Sequence, residues 1–208
     1  MSLRQRQEIQ EVLRRLTPMR LRKRLFDLVG AAGGLLAFSP VMALIVGAIV
    51  LEDGWPVLFR QERLGRRRRP FTILKFRSMR DGHITRVGRL LRATGLDELP
   101  QFINILRGDM SAVGPRPLTE SDVARLGWTA ARYDFRWEAR PGLTGLAQVT
   151  EARSGRLSLR LDRLYVARQS LLLDARLVAV SFAINALGKR RVRRLLVRTR
   201  RARRHVNQ

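Results

Sequence analysis

The feature that constrains this chain most is a run of 24 residues, from Leu28 to Leu51, without a charged side chain. A transmembrane helix needs roughly 20 predominantly apolar residues, so this run predicts that the chain meets a bilayer. At its centre lies Ser39-Pro40. Proline removes a backbone donor and disfavours helical geometry in the residue before it. The sequence therefore predicts either a kink or a full reversal of the helix at this point.

The flanks of the run favour the reversal. Basic residues precede it within positions 20–24 and follow it within positions 60–69, and segments rich in Lys and Arg stay on the cytoplasmic side of a membrane. A helix from Leu28 to Ser39 would be only about 18 Å long at 1.5 Å per residue, which is shorter than the roughly 30 Å hydrocarbon core. We therefore predict a re-entrant hairpin over residues 25–51, broken at Ser39 and Pro40. A proline-kinked spanning helix is the alternative.

The net charge of +25 is concentrated at the two ends of the chain. Residues 1–24 hold eight basic and two acidic side chains, and residues 189–208 hold ten basic and no acidic ones. Such ends attract polyanions, which means nucleic acid or the anionic leaflet of a membrane, and charge alone does not choose between them. Because the sequence has no cysteine, disulfides and thiolate metal sites or nucleophiles are excluded.

Two short strands are predicted after the apolar run, in "PVLFRQ" and "FTILKFRSM", joined by a basic turn. Alternation in the second strand puts Lys75 on one face, where an exposed strand edge is the simplest interpretation. A helix is predicted in "ITRVGRLLRATG", with Gly95 suited to its end. Near the C-terminus, "LSLRLDRLYVARQS" and "SLLLDARLVAVSFAINALG" are predicted to lie in the membrane interface or to pack on the core.

The segment "LDELPQ" places two adjacent carboxylates, Asp97 and Glu98, ahead of another predicted helix. Its apolar residues recur at helical spacing and Gly108 ends it. Asp97 would lie at or beside the N-cap, with Pro100 in the first turn. An ordinary capped helix start explains these residue types completely, so spacing alone does not indicate catalysis. Proximity to the helix N-terminus predicts that Asp97 stays ionised at neutral pH.

A candidate anion site follows in "GDMSAVGPRPLTESD". Arg116 lies between Pro115 and Pro117, which fix the backbone dihedral φ and limit its freedom. An ordered guanidinium can hold a phosphate through two donors. An arginine in a surface turn is the alternative interpretation. A second Arg-Pro-Gly turn, in "RPGLTGLAQV", precedes a further predicted short strand.

Taken in order, these segments resemble one family. "KRLFDLVGAAGGLLAFSPVMALI", "LFRQERLGRRRRPFTILKFRSM", "ITRVGRLLRATGLDELPQFINILRGDMSAVGPRP", "RPGLTGLAQV" and "LDRLYVARQSLLLD" are similar to the bacterial sugar transferases, the monotopic polyprenyl-phosphate phosphoglycosyl transferases. The resemblance covers about residues 22–180 and matches the minimal catalytic form. It implies an α+β monotopic membrane protein with the re-entrant hairpin, a small β-hairpin and several amphipathic interfacial helices.

The resemblance also implies an activity. Such an enzyme moves a sugar 1-phosphate from a UDP-sugar to a polyprenyl phosphate and releases UMP. The residue matching Asp97 forms a covalent phosphosugar intermediate, and the one matching Glu98 assists the metal or the proton movements. Mg²⁺ is the implied cofactor, with both carboxylates as its implied ligands. Lys75, Arg92 and Arg116 match basic residues of the substrate site, and the helix break matches Ser39-Pro40.

On this basis we divide the chain into a basic segment (1–24), the broken membrane helix (25–51), a catalytic domain at the cytoplasmic face of the bacterial inner membrane (52–188) and a basic tail (189–208). We expect anionic membrane lipids as partners and no nucleic acid, and leave a homodimer open. The chain departs from the family in three places: a short "RDGH" loop, His83, and Ala147 where tryptophan is usual. A basic nucleic-acid-binding protein and an inactive membrane scaffold are the competing hypotheses.

Overall fold

The computed structural model describes residues 3–152 and 154–187, and for residues 3–20 and 186–187 it describes the backbone only. The predicted tail at 189–208 lies outside these residues. The described part is a mixed α+β fold, as predicted. Its helices are α1 (Leu3–Asp53), α2 (Arg86–Thr94), α3 (Gln101–Arg107), α4 (Glu120–Arg125), α5 (Leu146–Val149), α6 (Gly155–Ala167) and α7 (Leu171–Leu187). Its strands are β1 (Leu58–Leu64), β2 (Pro70–Phe76), β3 (Met79–Arg80), β4 (His83–Ile84), β5 (Ser111–Val113) and β6 (Gly142–Thr144).

Helix α1 runs through Ser39 and Pro40 without interruption, so the helix–break–helix that the sequence predicts is not confirmed. Pro40 has no N–H to donate to the carbonyl of Leu36, four residues earlier. The Ser39 hydroxyl donates to that same carbonyl oxygen instead, over 2.8 Å. Because this contact pairs the carbonyl that proline would leave without a partner, the helix can continue through the dipeptide.

One side of α1 packs on the rest of the protein, whereas the other side is exposed. Ala31, Ile45 and Ile49 are buried, while Leu36 and Leu44 are 79% and 74% exposed. The stretch Leu21–Asp53 is long and apolar enough to cross a membrane. The exposed apolar side is what a bilayer would cover, and the path of α1 relative to the membrane stays a prediction.

Strands β1 and β2 form the predicted antiparallel hairpin, with Phe59 opposite Lys75 and Gln61 opposite Ile73. The outer edge of β2 is paired by a side chain of α3. Asn104, which is fully buried, accepts from the Leu74 N–H over 3.0 Å and donates to the Thr72 carbonyl over 2.7 Å. This amide replaces a neighbouring strand, so it fixes α3 against the strand that carries Lys75.

The short "RDGH" loop forms a tight hairpin between β3 and β4, which pair antiparallel. Asp81 and Gly82 both have positive φ, at 48° and 81°, as a two-residue type I′ turn requires. Helix α2 begins directly after this hairpin. Its first N–H groups, those of Arg86 and Val87, donate to the carboxylate of Glu52 near the end of α1. The end of α1 therefore caps the helix that leads toward Asp97.

Strands β5 and β6 pair in parallel, with Ser111 opposite Gly142. The two turns that follow Arg140 and Val113 approach closely, since a Cβ on Gly142 would lie 2.0 Å from the Gly114 nitrogen. Only glycine permits this approach. The short strand predicted with the segment "RPGLTGLAQV" is β6, which lies within that segment. The residues "LAQV" that follow β6 form the helical turn α5.

A buried polar cluster ties α1 to β5, α6 and α7. We call Lys23, Asp27, Tyr165 and Asp174 the anchor cluster. Lys23 Nζ donates to Asp174 Oδ2 over 2.7 Å and to the Val113 carbonyl over 3.2 Å, and Tyr165 Oη lies 2.9 Å from Asp174 Oδ1. Asp27 accepts from Ser111 Oγ and from the Ala112 N–H, each over 3.0 Å. The charges in this cluster hold α1 against β5, α6 and α7.

Candidate active site

Asp97 lies in a single 3₁₀ turn, Leu96–Glu98, between α2 and α3. Helix α2 ends at Gly95, which adopts the left-handed conformation with φ 73°, as predicted. The N-cap of α3 is Pro100, which makes no side-chain cap, so the prediction that Asp97 caps this helix is wrong. Leu99 and Pro100 already have helical backbone angles. The helical path therefore starts before Asp97, and its first N–H groups form 3₁₀ bonds instead of contacting a capping side chain.

The environment of Asp97 raises its pKa above the usual value for aspartate. Burial is the largest cause and the charge of Glu98 adds to it, whereas Lys75, the Asp97 backbone N–H and Arg92 lower the pKa. The sequence predicts that the helix N-terminus favours the charged form. Desolvation outweighs that effect here, because the half-buried carboxylate is less well hydrated when ionised than it would be in water, and the hydrogen bond from its own backbone N–H offsets only part of this.

Beside this turn lies a cleft of about 260 Å³. We call it the cationic cleft, after Arg63, Lys75 and Arg116, which line it together with Glu98. Lys75 Nζ lies 2.6 Å from Glu98 Oε1. Lys75 is therefore not a solvated strand edge but one wall of a polar cavity. Arg63 also pairs with Asp122, so three cations face two carboxylates, and the remaining positive charge suits a phosphate-bearing ligand.

The backbone at Arg116 is held by a second buried ion pair. Arg136 Nε donates to Asp162 Oδ2 over 2.8 Å, and both side chains are 3% exposed. Arg136 Nη2 also donates to the carbonyl oxygen of Arg116. Burial lowers the pKa of Arg136 and raises that of Asp162, and each partner's charge opposes the shift of the other. The pair thus positions the Pro115–Pro117 segment at the mouth of the cleft.

Sequence reasoning missed Arg63. This side chain lies in the cleft, and its Nη1 is 3.3 Å from both the Pro117 carbonyl and Asp122 Oδ2. Burial lowers the pKa of Arg63, Asp122 opposes this, and the nearby charge of Arg116 lowers it further. The strand register carries the signal that could have found it. Arg63, Ile73 and Lys75 share one face of the hairpin once Arg63 is set opposite Phe71.

The structure brings Lys75, Glu98 and Arg116 together around the cleft. Arg92 is exposed and donates from Nε to Ser78 Oγ over 2.8 Å, yet it is near enough to lower the pKa of Asp97. Asp97 is adjacent to the cleft but is not among the described residues that line it. Ser39 and Pro40 lie in α1 and do not contribute to it either.

The carboxylates of the site are few. Within the part of the chain that the structure describes, no group of three acidic or histidine side chains could hold a metal ion. Mg²⁺ is commonly bound by one or two carboxylates together with substrate phosphates. Asp97 and Glu98 supply that number, so the donor set fits Mg²⁺ bound jointly with a diphosphate.

Comparison with known proteins is consistent with this site. A sequence model of the family described as bacterial sugar transferase matches residues 18–187. A UDP-glucose:undecaprenyl-phosphate glucose-1-phosphate transferase of Caulobacter vibrioides is 45% identical over 161 residues, which cover 71% of this chain and 60% of the relative.

Two further relatives are 38% identical. One is a UDP-N-acetylgalactosamine-undecaprenyl-phosphate N-acetylgalactosaminephosphotransferase of Aeromonas hydrophila, with 75% of this chain and 41% of the relative covered. The other is the uncharacterized sugar transferase EpsL of Bacillus subtilis, with 76% of this chain and 84% of the relative covered. The chain thus spans about 40 to 60% of the length of the first two relatives.

Proposed function

The chain belongs to the bacterial sugar transferase family, and from this premise we propose that it transfers a sugar 1-phosphate from a UDP-sugar to a polyprenyl phosphate such as undecaprenyl phosphate. UMP is the leaving group. The reaction would be the first membrane step of a glycan such as an exopolysaccharide, O-antigen, capsule or glycoprotein glycan. It would take place at the cytoplasmic face of the inner membrane, where α1 meets anionic lipids.

The first step is attack by an Asp97 carboxylate oxygen on the phosphorus that carries the sugar. A bond forms between that oxygen and phosphorus, and the bond from phosphorus to the bridging oxygen breaks. UMP leaves with the electron pair of the broken bond. The product is an aspartyl phosphosugar on the enzyme, and no proton has to move. The raised pKa of Asp97 supports this role, because a poorly solvated carboxylate is a stronger nucleophile once it is ionised.

In the second step, a phosphate oxygen of the polyprenyl phosphate attacks the same phosphorus. The bond to Asp97 breaks, the carboxylate is restored, and the sugar leaves on a polyprenyl diphosphate. Both steps bring anions together, so the cations of the cleft must offset their repulsion. Lys75, Arg63 and Arg116 would do this, and Arg92 would act near Asp97.

Bound Mg²⁺ would offset further negative charge on the diphosphate. Asp97 and Glu98 would hold it together with the substrate phosphates. Glu98 lies in the same turn as Asp97 and contacts Lys75. This position suits a residue that orients the cationic side of the site while its neighbour attacks.

The observation that carries the proposal is the gathering of Arg63, Lys75 and Arg116 around one cleft beside Asp97. Three cations that converge in a partly buried cavity repel one another, and a bound diphosphate would relieve that repulsion. The same cleft shares Glu98 and other lining residues with a second cavity whose wall includes the apolar helix α1. A soluble anionic donor and a lipid acceptor could therefore reach the same phosphorus.

The test is a single-turnover measurement of UMP release. Purified enzyme mixed with a panel of UDP-sugars and Mg²⁺, without lipid acceptor, should release about one UMP per active site with the correct sugar. Its mass should rise by that of the phosphosugar. Asp97→Asn should give neither signal, whereas Asp81→Asn, an exposed aspartate in the β3–β4 turn, should give both. A full burst from Asp97→Asn would refute the nucleophile, and no turnover with any UDP-sugar plus acceptor would refute the activity.

A further inference from the structure

A second cavity, of about 390 Å³, lies between α1, α3 and α7. We call it the apolar groove, because hydrocarbon side chains form most of its wall. They include Ala31 and Phe38 of α1, Phe102 of α3, and Val178 and Phe182 of α7. The rings of Phe38 and Phe182 stack with centroids 6.2 Å apart. One wall of the groove is therefore the helix that is long and apolar enough to enter a bilayer.

The groove and the cationic cleft are neighbouring cavities that share part of their walls. Six residues line both: Gly95, Glu98, Leu143, Thr144, Ser181 and Asn185. We call the shared wall the junction. It includes Glu98, which lies in the same turn as Asp97. A ligand that occupied both cavities would have its charged part among the cations and its apolar part against α1 and α7.

Helix α7 supplies the polar side chains of this junction. From position 177 to 187 it contains two polar residues, Ser181 and Asn185, and nine apolar ones. Residues four apart lie on the same face of a helix, and both side chains line both cavities. Their hydroxyl and amide groups are donors placed where an anion would leave the cleft and a hydrocarbon chain would begin.

We propose that the apolar groove binds the first isoprene units of the lipid acceptor, and that Ser181 and Asn185 donate to its phosphate at the junction. This rests on the proposed function, because it places the acceptor of that reaction. A nucleotide sugar carries no hydrocarbon chain to fill the groove. A polyprenyl phosphate matches both halves at once, with an anionic head for the cleft and an apolar chain that continues along α1 toward the bilayer.

Two variants of α7 separate the groove from the rest of the site. Val178→Trp fills the groove, and Asn185→Leu removes a donor at the junction without adding bulk to the cleft. The matched control is Leu172→Trp, a residue of the same helix that is 61% exposed and is not among the described residues that line either cavity. Val178→Trp should raise the KM for polyprenyl phosphate at least tenfold, and Asn185→Leu severalfold. Val178→Trp should keep the wild-type burst of UMP, and the control should change neither quantity.

A binding measurement makes the test independent of catalysis. Farnesyl phosphate should raise the melting temperature of the detergent-solubilised wild type, and Val178→Trp should lose most of that shift. Inorganic phosphate and phosphatidylglycerol should produce much smaller shifts than farnesyl phosphate.

Each outcome has a distinct meaning. An unchanged acceptor KM and an unchanged farnesyl phosphate shift in a folded Val178→Trp protein would overturn the groove assignment. A lost UMP burst in that protein would assign the cavity to the donor and overturn it as well. An equal shift with phosphatidylglycerol would show that the groove takes any anionic lipid. A farnesyl phosphate shift that depends on Val178, in a protein without any UMP burst, would refute the proposed function and keep the groove.

Discussion

Two ion pairs of nearly equal length do different things in this protein. In the anchor cluster, Lys23 Nζ lies 2.7 Å from Asp174, and the two side chains are 14% and 0% exposed. In the cationic cleft, Lys75 Nζ lies 2.6 Å from Glu98, and the side chains are 22% and 35% exposed. The distance between the charges does not distinguish the pairs. What differs is whether other protein groups occupy the remaining hydrogen-bonding positions.

In the anchor cluster, protein neighbours occupy most of the hydrogen-bonding positions. Asp174 meets both Lys23 and Tyr165, and the Lys23 ammonium also meets a backbone carbonyl. Burial raises the pKa of the Tyr165 hydroxyl and the nearby Asp174 charge adds to this, which keeps the phenol a neutral hydrogen-bonding group. The cleft instead has three cations and one partly exposed carboxylate around an open volume. Protein groups thus occupy most of the donors and acceptors of the anchor cluster, whereas the cations of the cleft keep donors that a ligand can use.

The largest effect we expect is a loss of stability when the anchor cluster is broken. Lys23→Met should lower the free energy of unfolding by about 3–5 kcal/mol, because it removes the cation that pairs with the buried carboxylate of Asp174 and lies near that of Asp27. Thermal unfolding in detergent measures this. Arg22→Met removes the same charge from an exposed position on the same helix and should cost little. Equal losses in the two variants would mean that the anchor cluster contributes no more than surface charge.

Substitutions in the cationic cleft should change activity rather than stability. Lys75→Met should reduce kcat/KM at neutral pH by about 10²–10³-fold. It should also move the acidic limb of the pH profile to higher pH, because Lys75 lowers the pKa of Asp97 and its removal lets burial and Glu98 raise that pKa further. Steady-state UMP release across pH measures both effects. Arg92→Met should shift the limb in the same direction by less, and a limb that moved to lower pH would contradict our account of Asp97.

Arg136 joins a closed ion pair to the open cleft. Arg136→Lys keeps a charge for Asp162 but cannot also reach the Arg116 carbonyl, so we expect the KM for the UDP-sugar to rise about 10-fold, with a smaller change in kcat. The same substitution at exposed Arg132 should change neither. In an Arg116→Ala background, Arg136→Lys should have no further effect on KM. An additive effect there would show that Arg136 does not act through Arg116.

The smallest effect we expect is a gain in stability rather than a loss. A carboxyl whose pKa is higher in the folded than in the unfolded protein destabilises the fold when it is ionised. Asp97→Asn should therefore raise the melting temperature slightly at neutral pH. The gain should disappear as the pH falls below the usual aspartate range, where the wild-type carboxyl is protonated too. Asp81→Asn serves as the exposed control. A loss of stability at neutral pH, or a gain that persists in acid, would contradict the raised pKa of Asp97.

Much of the local structure could be predicted from the sequence. The hairpin, the end of α2 at Gly95 and the end of α3 at Gly108 followed from alternation and from glycine. The Asp81-Gly82 signal for a tight hairpin was also present but was interpreted only as a shortened loop. These features depend on neighbours within a few residues, which is why local patterns are enough to predict them.

The site was only partly predictable. Its motifs pointed to Lys75, Glu98 and Arg116, which do meet, but not to Arg63, Asn104 or Arg136. Spacing placed Asp97 at an N-cap, and the structure puts it in a 3₁₀ turn instead. Ser39-Pro40 predicted a break, and the serine hydroxyl pairs the carbonyl that proline leaves open. In each case a contact that spacing does not specify decided the outcome.

The sequence by itself determined that an apolar segment of 24 residues precedes a small α+β domain, and that this domain carries the ordered motifs of one family. Those properties follow from composition and periodicity, which are written in consecutive residues. Only the tertiary structure decided which charges are closed, which line a cleft, and that α7 joins the cleft to an apolar groove. Burial, pKa and the convergence of side chains depend on residues up to 151 positions apart, as Lys23 and Asp174 are, and no local pattern specifies such pairs.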